Sequence, residues 1–268
     1  MGGNNSSRIG AKNTLADIPL LSHQKSNPVR ATFFEKFTMP ERMSDRVLGI
    51  FAKEPIAGRS KTRLAQSTSP AWAQRVAQAC VEDSLDRFAE APAKRVIAYA
   101  PDSADGYFSP WAHAGYELFR QGEGDLGQRL RNFFVCQWTR GVERVVVVGA
   151  DSPTLPLACI ELAFQTLETC DVVIGPAFDG GYYLIGSVAK DLPIFDDIPW
   201  STSSVLEKTV ERLRCCGGRL HLLPPWYDID TLDDWTMLRG HVLAMRQAGI
   251  DPGVPRVERL IRNSGEFV

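Results

Sequence analysis

No stretch of this 268-residue chain approaches the run of roughly 18 apolar residues that spans a bilayer. Residues 1–43 lack the apolar centre of a secretory signal, because Leu15 to Leu21 is broken by Asp17 and Pro19. Neither sign of charge dominates. Thirty basic residues against 32 acidic ones leave a net charge of −2, which exerts no general pull on nucleic acid or an anionic membrane. Phosphate recognition, if present, must therefore be local. The six cysteines (Cys80, Cys136, Cys159, Cys170, Cys215 and Cys216) contain no Cys-x-x-Cys pair. Most lie in apolar stretches, where a thiol behaves as a small hydrophobe, so a soluble, cytoplasmic setting is expected. No Gly-x-Ser-x-Gly motif occurs, and His23, His113, His221 and His241 have no metal-ligand spacing. Ser/His/Asp hydrolysis has no support. A Walker loop is excluded by spelling, since Ser60 precedes Lys61-Thr62 where glycine is required.

What is present is a core. Apolar residues make up 44% of the chain, enough to exclude global disorder. Apolar strands are expected at residues 47–52, 95–99, 145–148 and 171–174, with weaker ones at 116–119, 182–185 and 219–223. Helices are expected from Ser69-Pro70 to about Glu90, over Leu126–Thr139, from Pro156 to about Thr169, from Ser204 to Cys215 and from Thr231 to about Ala248. Ser204 with Glu207, and Thr231 with Asp234, have capping-box spacing. The alternation predicts an α/β domain with a largely parallel sheet flanked by helices. Its expected bounds are residues 44–250, after a flexible tail over 1–43 and before a C-terminal extension over 251–268. In such sheets ligands bind beyond the carboxyl ends of the strands.

Four segments follow apolar strands directly. Lys53 to Arg63 carries four cations and Gly58, and could wrap phosphates through backbone N–H groups and charge-assisted bonds; a solvated basic loop is the plain alternative. In Gly149-Ala150-Asp151-Ser152-Pro153, a lone carboxylate ends the run of valines. It is either a ligand for a divalent cation or a cap for the helix near Pro156. Asp179-Gly180-Gly181 is a turn signal that also permits close approach of a ligand. Asp228 and Asp230 would share one side of an extended stretch, where one could complete a metal site with Asp151. Asp233 and Asp234 fall in a first helical turn and read as structural.

Taken in order, Phe-Ala-Lys-x-Pro-x-x-Gly-x-x-Lys-Thr-Arg-Leu-Ala, Asp-Leu-Gly-x-Arg-Leu, Gly-x-Asp-Ser-Pro-x-Leu-Pro, Gly-Pro-Ala-x-Asp-Gly-Gly-Tyr-Tyr-Leu-Ile-Gly, Pro-Trp-Ser-Thr and Asp-Ile-Asp-Thr-x-x-Asp span roughly residues 46–240. This pattern resembles the bacterial radical-SAM/selenodomain-associated transferase 1 family, also described as an arsenosugar-type glycosyltransferase. The resemblance implies a GT-A-like fold of the nucleotide-diphospho-sugar transferase superfamily and a Mg²⁺ or Mn²⁺ cofactor. It implies that Lys53, Gly58, Lys61 and Arg63 hold the donor's phosphates. Asp151 would bind the metal, with the second carboxylate from Asp230 or Asp228, because the usual Asp-x-Asp reads Asp151-Ser152-Pro153 here. Asp179, Gly180, Gly181 and Tyr182 would face the sugar or acceptor. From its polar turn position Asp179 is expected to be the base, with Lys61 steadying the leaving group.

The expected activity is glycosyl transfer from a nucleotide-sugar donor to a small-molecule acceptor. Nucleotidyl transfer with release of pyrophosphate needs the same parts, and the basic loop also resembles that of molybdenum-cofactor and phospholactate nucleotidyltransferases. A non-catalytic nucleotide-sugar binder is the third reading, but it would have no special need for the carboxylates. No nucleic-acid or membrane partner is expected. Met43 stands just before the first strong strand, and translation is expected to start there. Intact mass of the native protein tests this, and a mass that includes residues 1–42 contradicts it.

Overall fold

The structure, a computed structural model, describes residues 45–188 and 193–263. The tail expected over residues 1–43, the start at Met43 and the last five residues of the C-terminal extension lie outside these residues. A seven-stranded sheet runs through the protein in the order β3-β2-β1-β4-β6-β5-β7. Its strands are β1 (Arg46–Lys53), β2 (Lys94–Ala100), β3 (Glu117–Arg120), β4 (Arg144–Gly149), β5 (Val172–Pro176), β6 (Tyr182–Val188) and β7 (Leu220–Leu222). β1 pairs in parallel with β2 and β4, β2 with β3, and β5 with β7; β6 is antiparallel to both β4 and β5. This is the mostly parallel, helix-flanked sheet that the alternation predicts, with one reversed strand supplied by the hairpin at Gly180-Gly181.

Burial on both faces explains the unbroken apolar runs. In β1 and β4, Leu48, Ile50, Val146 and Val148 belong to one core cluster, while Val47, Val145 and Val147 belong to the other. Ile50 lies between Ile97 and Val148 in register. Val146 and Val148 are fully buried, so a charged residue in this run would face a desolvation penalty with no partner.

The helices are α1 (Thr62–Ser67), α2 (Pro70–Phe88), α3 (Asp105–His113), α4 (Leu126–Thr139), α5 (Leu157–Thr166), α6 (Val205–Cys215), α7 (Leu232–Gln247) and α8 (Pro255–Arg262). Ser69 caps α2, accepting from the Trp72 amide at 3.2 Å, and Pro70 occupies its first position. Thr231 and Asp234 form the expected capping box of α7. Two local expectations are corrected. Ser204 makes no cap bond to α6, because its hydroxyl pairs with that of Thr202 at 2.9 Å. The helix from Pro156 stops at Thr166. Three helices have no counterpart in the sequence reading: α1 begins inside the segment read as a loop, α3 carries Pro110, and α8 lies close to the chain's end.

A third cluster places the site. Trp72, Ala73, Val76 and Cys80 of α2 pack with Tyr227, Ile229, Trp235 and Leu238, and with Val254, Val257 and Leu260. The 226–230 segment is thereby laid against α2. The α8 end is tied down electrostatically. The fully buried Asp83 carboxylate accepts from the Val257 amide at 2.9 Å, from the Arg256 amide at 3.1 Å and from the Arg256 guanidinium at 3.0 Å. Burial pushes Asp83 above its ordinary pKa, and these donors pull the other way. Asp83→Ala leaves the amides and the guanidinium unpaired, so a loss of about 2–4 kcal/mol in urea unfolding is expected. A loss below about 1 kcal/mol would show that α8 docks through its apolar face alone.

Candidate active site

The carboxyl ends of β1, β4 and β5 face the same edge of the sheet, since β5 and β4 each run antiparallel to the β6 between them. The 226–230 segment follows β7, which is parallel to β5. All four segments singled out in the sequence therefore converge there. They line a single cleft of 760 Å³. The β1 loop contributes Lys53, Lys61 and Arg63; the β4 end contributes Asp151; the hairpin contributes Asp179, Gly181 and Tyr182; the last segment contributes Asp228 and Asp230. Gly58 and Gly180 stand off the cleft wall. Gly58 bends the exposed crest of the β1 loop, with φ 78°. Gly180 has φ 88°, and a Cβ there would lie 2.1 Å from the Ser203 carbonyl oxygen, so the hairpin tip abuts that strand-less segment only because the residue is glycine.

The centre of the site is Lys61. Its ammonium donates to Asp151 Oδ1 at 2.5 Å and to the Ile229 carbonyl oxygen, and lies 3.9 Å from Asp230 Oδ1. The lysine side chain is 3% exposed, against 51% for Asp151. Burial alone would lower the Lys61 pKa, but the charge of Asp151, helped by Asp230, more than reverses this and holds it above its ordinary value. The backbone at Lys61 is left-handed, with φ 45°, where it leads into α1. The site beneath is closed: the Cys80 thiol is buried, and burial pushes its pKa up to about 12 against the pull of Lys61.

The carboxylates are held individually. Asp151 does not cap α5, whose N-terminus is Pro156 without a side-chain cap. Its backbone is fixed instead by the Ile229 amide, which donates to the Asp151 carbonyl at 3.2 Å. Ser84 on α2 donates to the Ala150 carbonyl at 3.2 Å. Arg63 binds Asp230 Oδ2 at 2.6 Å. The Ser152 hydroxyl donates to Asp228 Oδ1. Burial raises Asp228 to about 7; Asp151, Asp230 and Asp179 add to the shift, and the Ser152 hydroxyl opposes it. Asp230 is also raised, first by burial and then by Asp151, against Lys61 and Arg63. Asp179 Oδ1 accepts from the Gly181 amide at 2.9 Å, the local bond of an Asx turn.

Among the described residues, no three His, Cys, Asp or Glu side chains are grouped as a metal-holding set. Two carboxylates, Asp151 and Asp230, do meet around one cationic atom. Hard carboxylate oxygens in that number suit a divalent ion that takes its other ligands from substrate phosphates and water. The residues present thus fit Mg²⁺ or Mn²⁺ as part of a substrate complex.

The sequence reading missed one wall. Trp200, Ser201, Thr202 and Ser203 also line the cleft, and Arg59 of the basic loop lines it beside Lys53, Lys61 and Arg63. Tyr182 packs edge-on against Trp200, with ring centroids 6.4 Å apart. The Ser/Thr cluster after Trp200 is the signal that marked this wall.

A family described as uncharacterized proteins conserved in bacteria, DUF2064, matches over residues 84–202, which include Asp151 and Asp179 but neither Lys61 nor Asp230. A crystal structure of a Desulfovibrio desulfuricans G20 protein, provisionally described as a nucleotide-diphospho-sugar transferase, matches with 31% identity and a TM-score of 0.73, covering 82% of this chain and 98% of that one. A Leptospira borgpetersenii cytidylyltransferase matches at 12% identity and a TM-score of 0.50, over 83% and 96% of the two chains. A 4-diphosphocytidyl-2C-methyl-D-erythritol synthase from Anaerococcus prevotii matches at 9% and 0.52, over 76% and 99%. At such identities the last two share the fold alone. No curated protein matches the chain.

Asp228 gives the site a pH signature. In metal-free buffer its folded carboxyl keeps a proton up to about pH 7, whereas its ordinary value is 3.8. The folded state then binds the extra proton, so this group lowers stability progressively as pH rises from about 4 to about 7. Asp228→Asn is expected to remove that fall and to gain about 1–2 kcal/mol at pH 8 relative to pH 4, the discount reflecting partial exposure. Parallel pH profiles for the variant and the parent protein would contradict the assignment.

Proposed function

The chain belongs to the nucleotide-diphospho-sugar transferase family represented by the Desulfovibrio desulfuricans protein, and from that premise we propose that it transfers a glycosyl group from a nucleoside diphosphate-sugar to a small acceptor, with Mg²⁺ or Mn²⁺. Within that family we read it as the radical-SAM/selenodomain-associated type. The observation that carries the reading is the meeting, in one cleft, of a cationic loop at the end of β1 with a carboxylate pair at the end of β4 and after β7.

The roles follow from placement. Lys53, Lys61 and Arg63, joined by Arg59, supply cations for the two phosphates of the donor, and Gly58 lets the loop fold around them. Asp151 and Asp230 would hold the divalent ion, with Asp228 beside them; bound there, the ion neutralises charge on the departing diphosphate. The acceptor would enter by the hairpin, against Gly181, Tyr182 and the Trp200 wall. Its hydroxyl oxygen forms the new bond to the sugar's anomeric carbon as the carbon–oxygen bond to the diphosphate breaks. Asp179, exposed at the cleft and with one oxygen fixed by Gly181, takes the acceptor's proton. Lys61 and Arg63 stabilise the charge that develops on the leaving diphosphate. The six cysteines are free, as a reducing, cytoplasmic setting would leave them; no helix among the described residues is long and apolar enough to cross a membrane.

Nucleotidyl transfer remains the competing reading, because the same basic loop would serve an attacked α-phosphate and departing pyrophosphate equally well. A thermal-shift screen with Mn²⁺ separates the two. Stabilisation by a nucleoside diphosphate-sugar, without stabilisation by free nucleoside triphosphates, is expected; the reverse pattern would favour nucleotidyl transfer. With the donor so found, Asp151→Ala is expected to abolish turnover while the far-ultraviolet circular dichroism stays unchanged. Undiminished turnover would refute the role of Asp151.

A further inference from the structure

The contacts of Lys61 carry a consequence for how the site is loaded. Its ammonium already occupies the space between the carboxylates that the reading above gives to the metal: 2.5 Å from Asp151 Oδ1 and 3.9 Å from Asp230 Oδ1, with a further bond to the Ile229 carbonyl. Mg²⁺ takes its oxygen ligands at about 2.0–2.1 Å. An ion bound to the same two oxygens would stand within a few ångströms of the ammonium, and two like charges at that spacing in a partly buried site repel strongly. An ion that takes Asp151 Oδ1 and Asp230 Oδ1 must displace the ammonium from between those two oxygens.

We propose that Lys61 and the divalent cation compete for Asp151 and Asp230, so that Lys61 serves as the site's resting counter-ion and the metal enters as the donor's phosphates draw the ammonium off Asp151. The inference rests on the proposed metal-dependent function. Two features of the chain favour such an exchange. Lys61 is a non-glycine residue with left-handed backbone, φ 45°, a strained conformation that a rearranged loop would release. The same loop turns at Gly58, φ 78°, three residues earlier, where glycine tolerates a change of backbone angle. Arg63 meanwhile holds Asp230 by Oδ2 at 2.6 Å, which leaves Oδ1 directed toward Lys61 and available to the incoming ion. The exchange makes metal and phosphate binding mutually reinforcing: each removes what opposes the other.

The test is Mn²⁺ binding without nucleotide, followed by electron paramagnetic resonance, in the parent protein and in Lys61→Met and Lys61→Gln. Lys61→Gln keeps an amide donor that can serve the Ile229 carbonyl, and unchanged far-ultraviolet circular dichroism identifies a folded variant. Both are expected to bind Mn²⁺ about tenfold or more tighter than the parent, in line with ordinary coupling between sites. Adding Asp151→Asn to Lys61→Gln should abolish the gain. Equal or weaker binding in the Lys61 variants would overturn the competition while leaving a metal site at Asp151 intact. Absence of any Mn²⁺ binding that depends on Asp151, in parent and variants alike, would overturn the functional reading together with it. The unmodified protein gives an independent readout that needs no variant to fold. Reductive methylation of Lys61, followed by peptide mass spectrometry, should rise when millimolar Mn²⁺ is present; unchanged labelling counts against the exchange.

Discussion

A single buried ammonium organises the cleft. Lys61 belongs to the loop after β1, Asp151 to the end of β4, and Ile229 to the segment after β7; one side chain bonds to both of the others. The cost of burying the lysine is offset by its bonds to Asp151 and the Ile229 carbonyl, while the Asp151 side chain stays half exposed. The pair is therefore asymmetric, with the desolvation borne by the cation and the carboxylate kept available to the cleft. Much of the surrounding structure serves this contact. The α2 helix supplies the Cys80 and Ser84 floor, and the cluster around Trp72 and Trp235 presses Ile229 into place. The Ile229 amide closes the loop by binding the Asp151 carbonyl.

The fold was largely legible because its cause is repeated and local. Four consecutive valines in β4 can be satisfied only by burial on both sides, which demands helices on both faces of a sheet. The capping pairs at Ser69 and Thr231 act within one turn and were readable for the same reason. Ser204 was misread because its spacing to Glu207 fits a capping box, yet the neighbouring Thr202 hydroxyl takes the bond first. The helix α3 escaped because Pro110 lies inside it, a residue that ordinarily argues against a helix interior.

The site was legible as a set of positions and not as a set of contacts. The strand-end rule placed Lys61, Asp151, Asp179 and Asp230 at one edge of the sheet, and the cleft contains all four. That Lys61 would bind Asp151 ninety residues away, or that Ser152 would bind Asp228, depends on the packing of α2 against the 226–230 segment, which no local spacing encodes. The choice between cap and ligand for Asp151 was open for the same reason. Its neighbours, not its position ahead of Pro156, remove the capping role. The Trp200 wall does not directly follow an apolar strand, so the strand-end rule passes over it, although its Ser/Thr cluster and the glycine tip that abuts Ser203 mark it.

The central claim is that one cleft receives a nucleotide's phosphates at the Lys53–Arg63 loop and a divalent ion at Asp151 and Asp230. A crystal structure with Mn²⁺ and a nucleoside diphosphate, read by the anomalous signal of manganese, tests it most directly. The account predicts an anomalous peak coordinated by Asp151 and Asp230 and bridged to the diphosphate, with the Lys61 ammonium turned from Asp151 toward a phosphate oxygen. A nucleotide seated away from the β1 loop, or manganese coordinated without Asp151, would contradict it.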